Sequence, residues 1–477
     1  MTYRRTIITL TAALACSCVA PAVESANAEN PRTETASSVS QWGITWHFEE
    51  PASVGQFANG DHWVVGPVTI TRITPDFDGE ENGWEVNPTF PGPQGFSARM
   101  SHFDARLVPD LPYSAQPGES IVKVIHGKDA ADNTLNTALE TAAVLTVVDA
   151  PPPDNGRNTF RPPYVAGDKP LYTVDQLRTD LLPAWPHVSR AHDAITLDWV
   201  ERQFQRVQLD HKGGSLGREI HPFRNIPDYG ADVGRRNGDG VLRLMLDDPL
   251  DNKMPGLIAY VQYGIDLYHM YLDGHRWPAG GGQRPGQKIV LAFASVMLDD
   301  QQMQHEVTSM TEQQFLNEDF YVYFSPHAND GQGQVLFGTA GTEQRYWETL
   351  DQVGVHHSLR DPYGYIDGGV PPDGYQVCCL SQPWKGQVLA VHLMPELRPV
   401  WNNELMIQYV ERWVTVGVWT QPDPIARQVP DTFHGRGVPG DGRFPDAHAT
   451  MSDAGHYGSP FQNQLWDAHR DTSRASD

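Results

Sequence analysis

YVQYGIDLYHMYLDGHRWPAGGGQRPGQKIVLAFASVMLDD, residues 260–300, contains two apolar stretches joined by a glycine-rich loop. The first stretch belongs to a run that begins at Leu257, and the second begins at Gln287. Both are apolar nearly all round, and a helix without a polar face is covered on every side. A two-layer ring, in which outer helices wrap inner ones, buries helices in this way. We therefore expect residues 173–477 to form an (α/α) toroid.

Other helical patterns flank this segment. Apolar residues with helical spacing predict a helix over 191–208. The run 402–419 is apolar nearly all round, and we expect a first helix to begin within 173–182. Long loops rich in glycine, proline and aromatic residues join these helices. Loops of this length inside a compact domain are usually functional.

Upstream, the apolar pattern has the period of two that is typical of strands. Four segments rich in valine, isoleucine, threonine and tryptophan are separated by turn-forming residues. They are GITWHFEE (43–50), HWVVGPVTITRI (62–73), ESIVKVIHG (119–127) and TAAVLTVVDA (141–150). We expect an antiparallel β-sandwich over 41–150, followed by an ordered, proline-rich linker over 151–172.

Residues 1–28 have the pattern of an export signal. Two arginines and an apolar run precede the sequence ANA at 26–28, which offers a small-residue cleavage site. We expect cleavage after it, a flexible leader over 29–40, and a secreted or periplasmic mature protein. Lipidation at Cys16 is the less favoured alternative.

The formal net charge of the 477-residue chain is −24. An acidic protein repels nucleic acid and anionic membranes, so neither is an expected partner. No stretch after the signal is apolar for long enough to span a bilayer, which predicts a protein without membrane insertion. The oligomeric state is left open.

Only two cysteines, Cys378 and Cys379, follow the predicted signal. We expect buried thiols, with a strained disulfide between these neighbours as the alternative, and no structural zinc without further cysteines. The sequence also lacks the HExxH, GxSxG and EF-hand patterns. We therefore expect neither a metal nor a cofactor.

The helix, glycine-rich loop and helix of 260–300, placed after a β-rich region, resemble the secreted (α/α)-toroid polysaccharide lyases. The resemblance covers about 190–420 and concerns architecture and loop character. It implies cleavage of a uronate-containing polysaccharide by β-elimination. That reaction needs a group that neutralises the uronate carboxylate, a base that takes the C5 proton and an acid that protonates the leaving oxygen.

The loop HPFRNIPDYGADVG, residues 221–234, contains the side chains that this chemistry needs. Asn225 is the predicted neutralising group and Tyr229 the predicted proton-transfer group, with His221 and Arg224 in support. Asparagine, aspartate, proline and glycine also suit turns, so a purely structural role for this loop is the alternative.

Two further segments, 274–286 and 342–369, carry the remaining candidates apart from Trp384. In the first, Trp277 would stack on a sugar ring, and a buried tryptophan in a glycine-rich helix connector is the alternative. In the second, a tyrosine and a histidine would reach the mouth of the toroid. The predicted catalytic residues are His221, Asn225, Tyr229, His275, Tyr346 and His356, and the predicted substrate-binding residues are Arg224, Trp277, Arg284, Arg345, Tyr365 and Trp384.

Two other functions remain open. A glycoside hydrolase needs two carboxylates across the scissile bond, and the candidates for them are Asp228, Asp232, Asp266, Asp361 and Asp367. Asp266 lies in an apolar helix pattern, where a structural anchor is the favoured interpretation. The third hypothesis is a glycan-binding or cell-surface protein without catalysis.

Overall fold

The computed structural model describes residues 34–89, 92–127, 139–188, 195–209, 222, 224–226, 230–278, 282, 284–310, 317–326, 332–337, 380–416 and 459–473. The predicted signal peptide and residues 29–33 of the predicted leader lie outside these residues. The prediction of a flexible leader is wrong for residues 34–40, because they belong to a strand that pairs with the following one. From Thr33 onward the chain forms one compact unit. The division into two domains on either side of 151–172 stays a prediction.

Within the described residues the chain forms ten strands, which include all four segments predicted as strands. They are β1 (Glu34–Gln41), β2 (Ile44–Gln56), β3 (His62–Val65), β4 (Val68–Thr74), β5 (Trp84–Val86), β6 (Tyr113–Ala115), β7 (Ser120–His126), β8 (Leu139–Val148), β9 (Val322–Ser325) and β10 (Gln334–Phe337). The first eight form one sheet in the order β5-β7-β8-β3-β2-β4-β6, with β1 paired to β2. Its pairs are antiparallel apart from the parallel pair β3–β8.

Strands β7 and β8 are buried on both faces. Ile121 and Leu145 point into a core that contains Trp46 and belongs to the sheet alone. Val122 and Val144 point the other way, into the larger core that the helices form. This explains why the predicted strand segments at 119–127 and 141–150 are apolar along most of their length, since helices cover one face of the sheet.

Nine α-helices lie in the part of the chain that the structure describes, so the fold is mixed α and β. They are α1 (Leu197–Phe204), α2 (Gly230–Leu244), α3 (Leu250–Leu272), α4 (Gln287–Met297), α5 (Gln301–Ser309), α6 (Ser381–Leu393), α7 (Leu397–Trp401), α8 (Glu404–Val416) and α9 (Pro460–Ser473). Helix α4 is buried along its whole length, as its apolar pattern predicts. None of the described helices is both long and apolar enough to cross a membrane.

The predicted helices at the start of the helical region differ in outcome. The helix expected over 191–208 is the shorter α1, whose first turn is capped by the Thr196 hydroxyl oxygen, which accepts from the backbone N–H of Trp199. The prediction that an α-helix begins within 173–182 is wrong. That segment forms two short 3₁₀ turns, Val174–Gln176 and Thr179–Leu181, which are separated by the non-helical residues Leu177 and Arg178.

The proline-rich segment 151–172 is ordered, as predicted, and holds a fully buried ion cluster. The guanidinium of Arg161 donates from Nε to Asp61 at 2.6 Å and from Nη2 to Asp266 at 2.5 Å. All three side chains are at most 1% exposed. Because Asp61 precedes β3 and Asp266 lies in α3, this cluster joins the sheet to the helices through the linker.

Candidate functional site

The N-terminal ends of α2, α4 and α6 meet at one place. A Cβ added at Gly234 in α2 would lie 2.8 Å from Pro383 Cβ in α6 and 3.2 Å from the carbonyl oxygen of Pro285, just before α4. One turn further on, a Cβ at Gly238 would lie 3.2 Å from Gly386 Cα. Helices α2 and α6 therefore run side by side in the same direction, and only glycine permits this close approach.

Each of the three segments that carry most of the predicted site residues precedes one of these helices in the sequence. The segment containing 221–229 precedes α2, the loop 274–286 precedes α4, and the segment containing 342–369 precedes α6. Helix N-termini present backbone N–H groups without partners in the helix and carry a partial positive charge. Their convergence makes this end of the helical layer a favourable place for an anion.

Polar side chains are buried between and around these helix ends, which is uncommon in a protein core. They come from α2, α4 and α6 and from a short 3₁₀ turn at Asn317–Asp319. The set is Asn237, Asp239, Gln287, Lys288, Glu318, Ser381, Gln382, Lys385 and Gln387. We call this set the polar centre.

Glu318 is the member of the polar centre with the most useful chemistry. One carboxyl oxygen accepts a hydrogen bond from the backbone N–H of Gly286, the N-cap of α4. The other oxygen is buried without a hydrogen-bond partner among the described residues. Burial raises the pKa of Glu318 to about 7, although the Gly286 N–H favours the charged form. A carboxyl group with this pKa can give or take a proton near neutral pH.

Lys288 of the polar centre makes structural contacts with Asp319, the neighbour of Glu318, and with Trp401. Lys288 donates to Asp319 at 2.7 Å and lies 5.0 Å from the ring centroid of Trp401. Asn403 donates to the same Asp319 oxygen at 2.7 Å. Burial raises the pKa of Asp319, and the Lys288 ammonium opposes that rise. These contacts fasten the start of α4 to α7 and α8.

Helix α9 completes the polar centre from the side of α2 and α6. Gln462 donates to Asp239 at 2.9 Å, and Asn463 accepts from the Lys385 ammonium. Burial raises the pKa of Asp239 to about 6 and lowers the pKa of Lys385 to about 7. The attraction between Asp239 and Lys385 opposes both shifts.

Replacing Glu318 by glutamine is expected to stabilise the protein at alkaline pH and to change it little at acid pH. Since the pKa of Glu318 rises from 4.5 to about 7 on folding, the folded state binds this proton more tightly than the unfolded state. The free energy of unfolding of the unmodified protein therefore falls as the pH rises through this interval, by up to roughly 3 kcal/mol. Glutamine keeps an oxygen for Gly286 and does not titrate.

Denaturant unfolding of both proteins at about pH 5 and about pH 8 measures this difference. The difference between variant and unmodified protein isolates Glu318 from the other titrating groups. Identical pH dependence in the two proteins would contradict the burial of an ionisable Glu318.

Asn225, the predicted neutralising residue, has a structural position. Its side chain is 2% exposed, and its Oδ1 accepts from the Thr141 hydroxyl at 2.9 Å. Its Nδ2 donates to the carbonyl oxygens of Val207 at 2.6 Å and Ala142 at 3.3 Å. The amide thus ties the segment before α2 to β8 and to the end of α1, which corrects its expected role from contacting substrate to positioning the loop.

The predicted aromatic contacts also lie in the core. Trp277 is 1% exposed and packs edge to face against His275, with ring centroids 4.8 Å apart. Trp384 is fully buried beside Tyr409. Neither indole presents a face to solvent, so neither tryptophan can stack on a sugar as predicted. Both pack in the protein core instead. His275 itself is partly exposed.

The arginines differ in location. Arg284 is partly exposed and lies two residues before the N-cap of α4. Arg224 is 58% exposed and lies beside Glu140 at the start of β8. The remaining predicted residues lie outside the described part of the chain. They are His221, Tyr229, Arg345, Tyr346, His356 and Tyr365, together with the alternative carboxylates Asp228, Asp361 and Asp367 and the cysteines Cys378 and Cys379.

Two of the carboxylates considered for a hydrolase are engaged in ion pairs. Asp266 is bound to Arg161 in the buried ion cluster, as expected for a structural anchor. Asp232 lies 2.8 Å from Arg235, one turn along α2. The described residues also contain no group of histidine, cysteine and acidic side chains that could hold a metal ion.

Glu318 and the other ionisable residues of the polar centre could not be identified from sequence patterns. Glu318 binds the backbone of Gly286, which no side-chain motif reveals. The available signal was indirect: Gly234, Gly238 and Gly386 lie within helices, and glycine inside a helix often marks a close approach. Comparisons of the chain with protein-family models, with curated proteins and with solved structures found no match in any of the three.

Proposed function

We propose that the protein is an exported polysaccharide lyase that cleaves a uronate-containing glycan by β-elimination. The observation that carries this proposal is the convergence of three helix N-termini, each preceded by a segment rich in candidate catalytic residues. A uronate carboxylate is an anion, and a converging set of helix N-termini favours an anion over a neutral sugar. This preference supports a lyase over a hydrolase of neutral glycans.

The architecture proposed with this function is a β-sandwich followed by an (α/α) toroid. Helices α2, α4 and α6 start at the same end, while α3 lies between α2 and α4 in sequence. A connection of five residues, 245–249, separates α2 from α3, and short connections join antiparallel neighbours. Alternating helices that share a direction, with returning helices between them, are the arrangement that a toroid needs.

In the proposed mechanism, the helix N-termini and Arg284 neutralise the uronate carboxylate. Neutralisation lowers the pKa of the C5 proton, which Tyr229 or Tyr346 removes. The electron pair of the broken C5–H bond forms the C4–C5 double bond as the C4–O bond breaks, and an acid protonates the leaving oxygen. His221, His275 and His356 are the candidates for support of these proton transfers, and Arg345 and Tyr365 for binding of neighbouring sugars.

A panel of uronate and neutral polysaccharides tests the proposal. A lyase produces an unsaturated uronate, which absorbs ultraviolet light, together with new reducing ends. New reducing ends without that absorbance would indicate a hydrolase and contradict the lyase proposal. Glycan binding without either product would contradict both enzymatic activities and indicate a glycan-binding protein.

Tyr229→Phe is expected to lower kcat by about 100-fold or more if Tyr229 transfers a proton. Tyr113→Phe is the matched control, because Tyr113 lies in β6 and donates to Glu119, just before β7, at 3.0 Å. Initial rates of ultraviolet absorbance measure both variants. Full activity of Tyr229→Phe would remove Tyr229 from the mechanism and leave Tyr346 as the candidate.

A further inference from the structure

The proline-rich linker and helix α3 are joined along one face of the helix. Gln262 Nε2 donates to the carbonyl oxygen of Arg161 at 3.0 Å, and Asp266 accepts from the guanidinium of Arg161 in the buried ion cluster. One turn further along α3, the ring of His269 packs edge to face against the ring of Tyr172, with centroids 6.4 Å apart. His269 therefore lies where the end of the linker meets α3.

One ring nitrogen of His269 lies in an unusual environment. The residue is 6% exposed, and its buried Nε2 makes no hydrogen bond among the described residues. The ring of Tyr268 also packs edge to face against it, with centroids 5.3 Å apart. Tyrosine rings thus pack against an imidazole nitrogen that lacks the polar partner of a typical buried histidine. This environment accepts the neutral ring and opposes the imidazolium, since an added charge has no hydrogen-bond acceptor at Nε2.

The charged groups that face His269 come from the linker and from the N-cap of α5, Asp300. Burial lowers the pKa of His269 to about 4, and the Lys169 ammonium adds to this effect. The carboxylates of Asp300 and Asp168 oppose it. Burial also lowers the pKa of Lys169, to about 7, so this ammonium is charged at the acid pH where His269 would gain its proton. Acid therefore places two positive charges at this junction while the linker stays in contact with α3.

The backbone of the linker offers two reporters of its contact with α3. The Tyr172 hydroxyl donates to Asp300 at 3.3 Å, which is long for two oxygen atoms. The Tyr172 carbonyl oxygen accepts from the backbone N–H of Phe160 at 2.9 Å. The backbone N–H of Ala166 donates to the carbonyl oxygen of Pro88 at 3.0 Å. These two amides would lose their acceptors if the end of the linker left α3, so their exchange with solvent reports that movement.

We propose that His269 is an acid-sensitive latch, which holds the end of the linker on α3 at neutral pH and releases it in acid. After release the imidazole is in water and takes up a proton at its ordinary pKa of 6.5, whereas the pKa of the latched ring is about 4. Between these values the released form binds more protons, so acid favours release. The contribution of His269 to latching is complete above pH 6.5 and is lost as the pH falls to about 4.

The latch adds a pH response to the proposed function without depending on it. Helix α3 ends at Leu272, three residues after His269, and the loop 274–286 then leads to α4. Release of the linker removes a contact from this end of α3, next to a segment that carries candidate site residues. Acid would therefore loosen the support of that segment whether or not the protein is a lyase.

Hydrogen exchange of the full chain, followed by mass spectrometry, tests the latch. After correction for the intrinsic exchange rate, we expect the protection of the Phe160 and Ala166 amides to fall about 10- to 30-fold from about pH 7 to about pH 5. His269→Leu does not titrate and places no unsatisfied nitrogen in the core, so its protection at about pH 5 should exceed that of the unmodified protein. His305→Leu, which removes an exposed histidine from α5, is the control and keeps the unmodified response.

A purely structural role of His269 would give the opposite result for His269→Leu, namely weaker protection at both pH values. That result, or an equal pH response in His269→Leu and the unmodified protein, would overturn the latch. An equal loss of protection in α4 would also overturn it, because the acid response would then be global unfolding. His269→Gln, which is neutral at every pH, takes the place of a leucine variant that fails to fold. If both fail, the ratio of linker to α4 protection in the unmodified protein decides.

Discussion

Arg161→Met is expected to lower the free energy of unfolding by about 3–5 kcal/mol. Methionine fills a similar volume but leaves Asp61 and Asp266 buried without their cation. Burial already raises the pKa of Asp266 to about 6 in the presence of Arg161, and removal of the guanidinium raises it further. The loss is therefore expected to be larger at neutral pH than at acid pH, where Asp266 becomes protonated.

Arg178→Met is the matched control for this prediction. Arg178 also contacts two aspartates, Asp180 at 2.8 Å and Asp299 at 3.5 Å, but its side chain is 39% exposed. Solvent screens an exposed cluster, so its loss should change the denaturant midpoint little. Equal effects of Arg161→Met and Arg178→Met would contradict the view that burial makes the Arg161 cluster important.

Gly286→Ala is expected to cost about 2–5 kcal/mol of stability and to disturb the candidate site directly. Gly286 has a φ of 111°, which alanine adopts only with strain, and its Cβ would lie 2.3 Å from Gly234 Cα. The start of α4 must then move away from α2. The N–H of Gly286 moves with it, so Glu318 loses its hydrogen-bond donor.

Gly79→Ala separates the two causes of that loss. Gly79 has a φ of 103°, and an added Cβ would meet nothing within 4 Å. Gly79→Ala therefore introduces backbone strain without a steric clash, and we expect it to lower the free energy of unfolding by about 1 kcal/mol. Denaturant unfolding compares the two variants, and an equal cost would show that contact between Gly286 and Gly234 contributes nothing.

Much of the secondary structure follows from apolar periodicity. The apolar period of two correctly predicted the segments that form β2, β3, β4, β7 and β8. The segment that is apolar on every side correctly predicted α4, including its first residue, Gln287. These elements were predictable because burial on one face or on every face leaves a direct pattern in sequence. The 3₁₀ turns within 173–182 were missed because two consecutive residues with non-helical backbone, Leu177 and Arg178, interrupt a pattern that otherwise suits a helix.

The candidate site was predictable only as a set of segments. Sequence identified the chain segments that lead into α2, α4 and α6, since their composition differs from that of the helices. It could not assign Asn225, whose amide is bound by Thr141, Val207 and Ala142 from distant parts of the chain. Tertiary contacts of this kind decide whether a polar side chain faces a ligand or holds a loop.

The position of α9 has a consequence for the order of events during synthesis. Gln462 and Asn463 supply hydrogen-bond partners to Asp239 and Lys385, which precede them in the chain by 223 and 78 residues. A nascent chain that has not yet emerged beyond α9 therefore holds these two groups without their final partners. The interface between α2 and α6 reaches its final hydrogen bonding only after Gln462 and Asn463 have been translated.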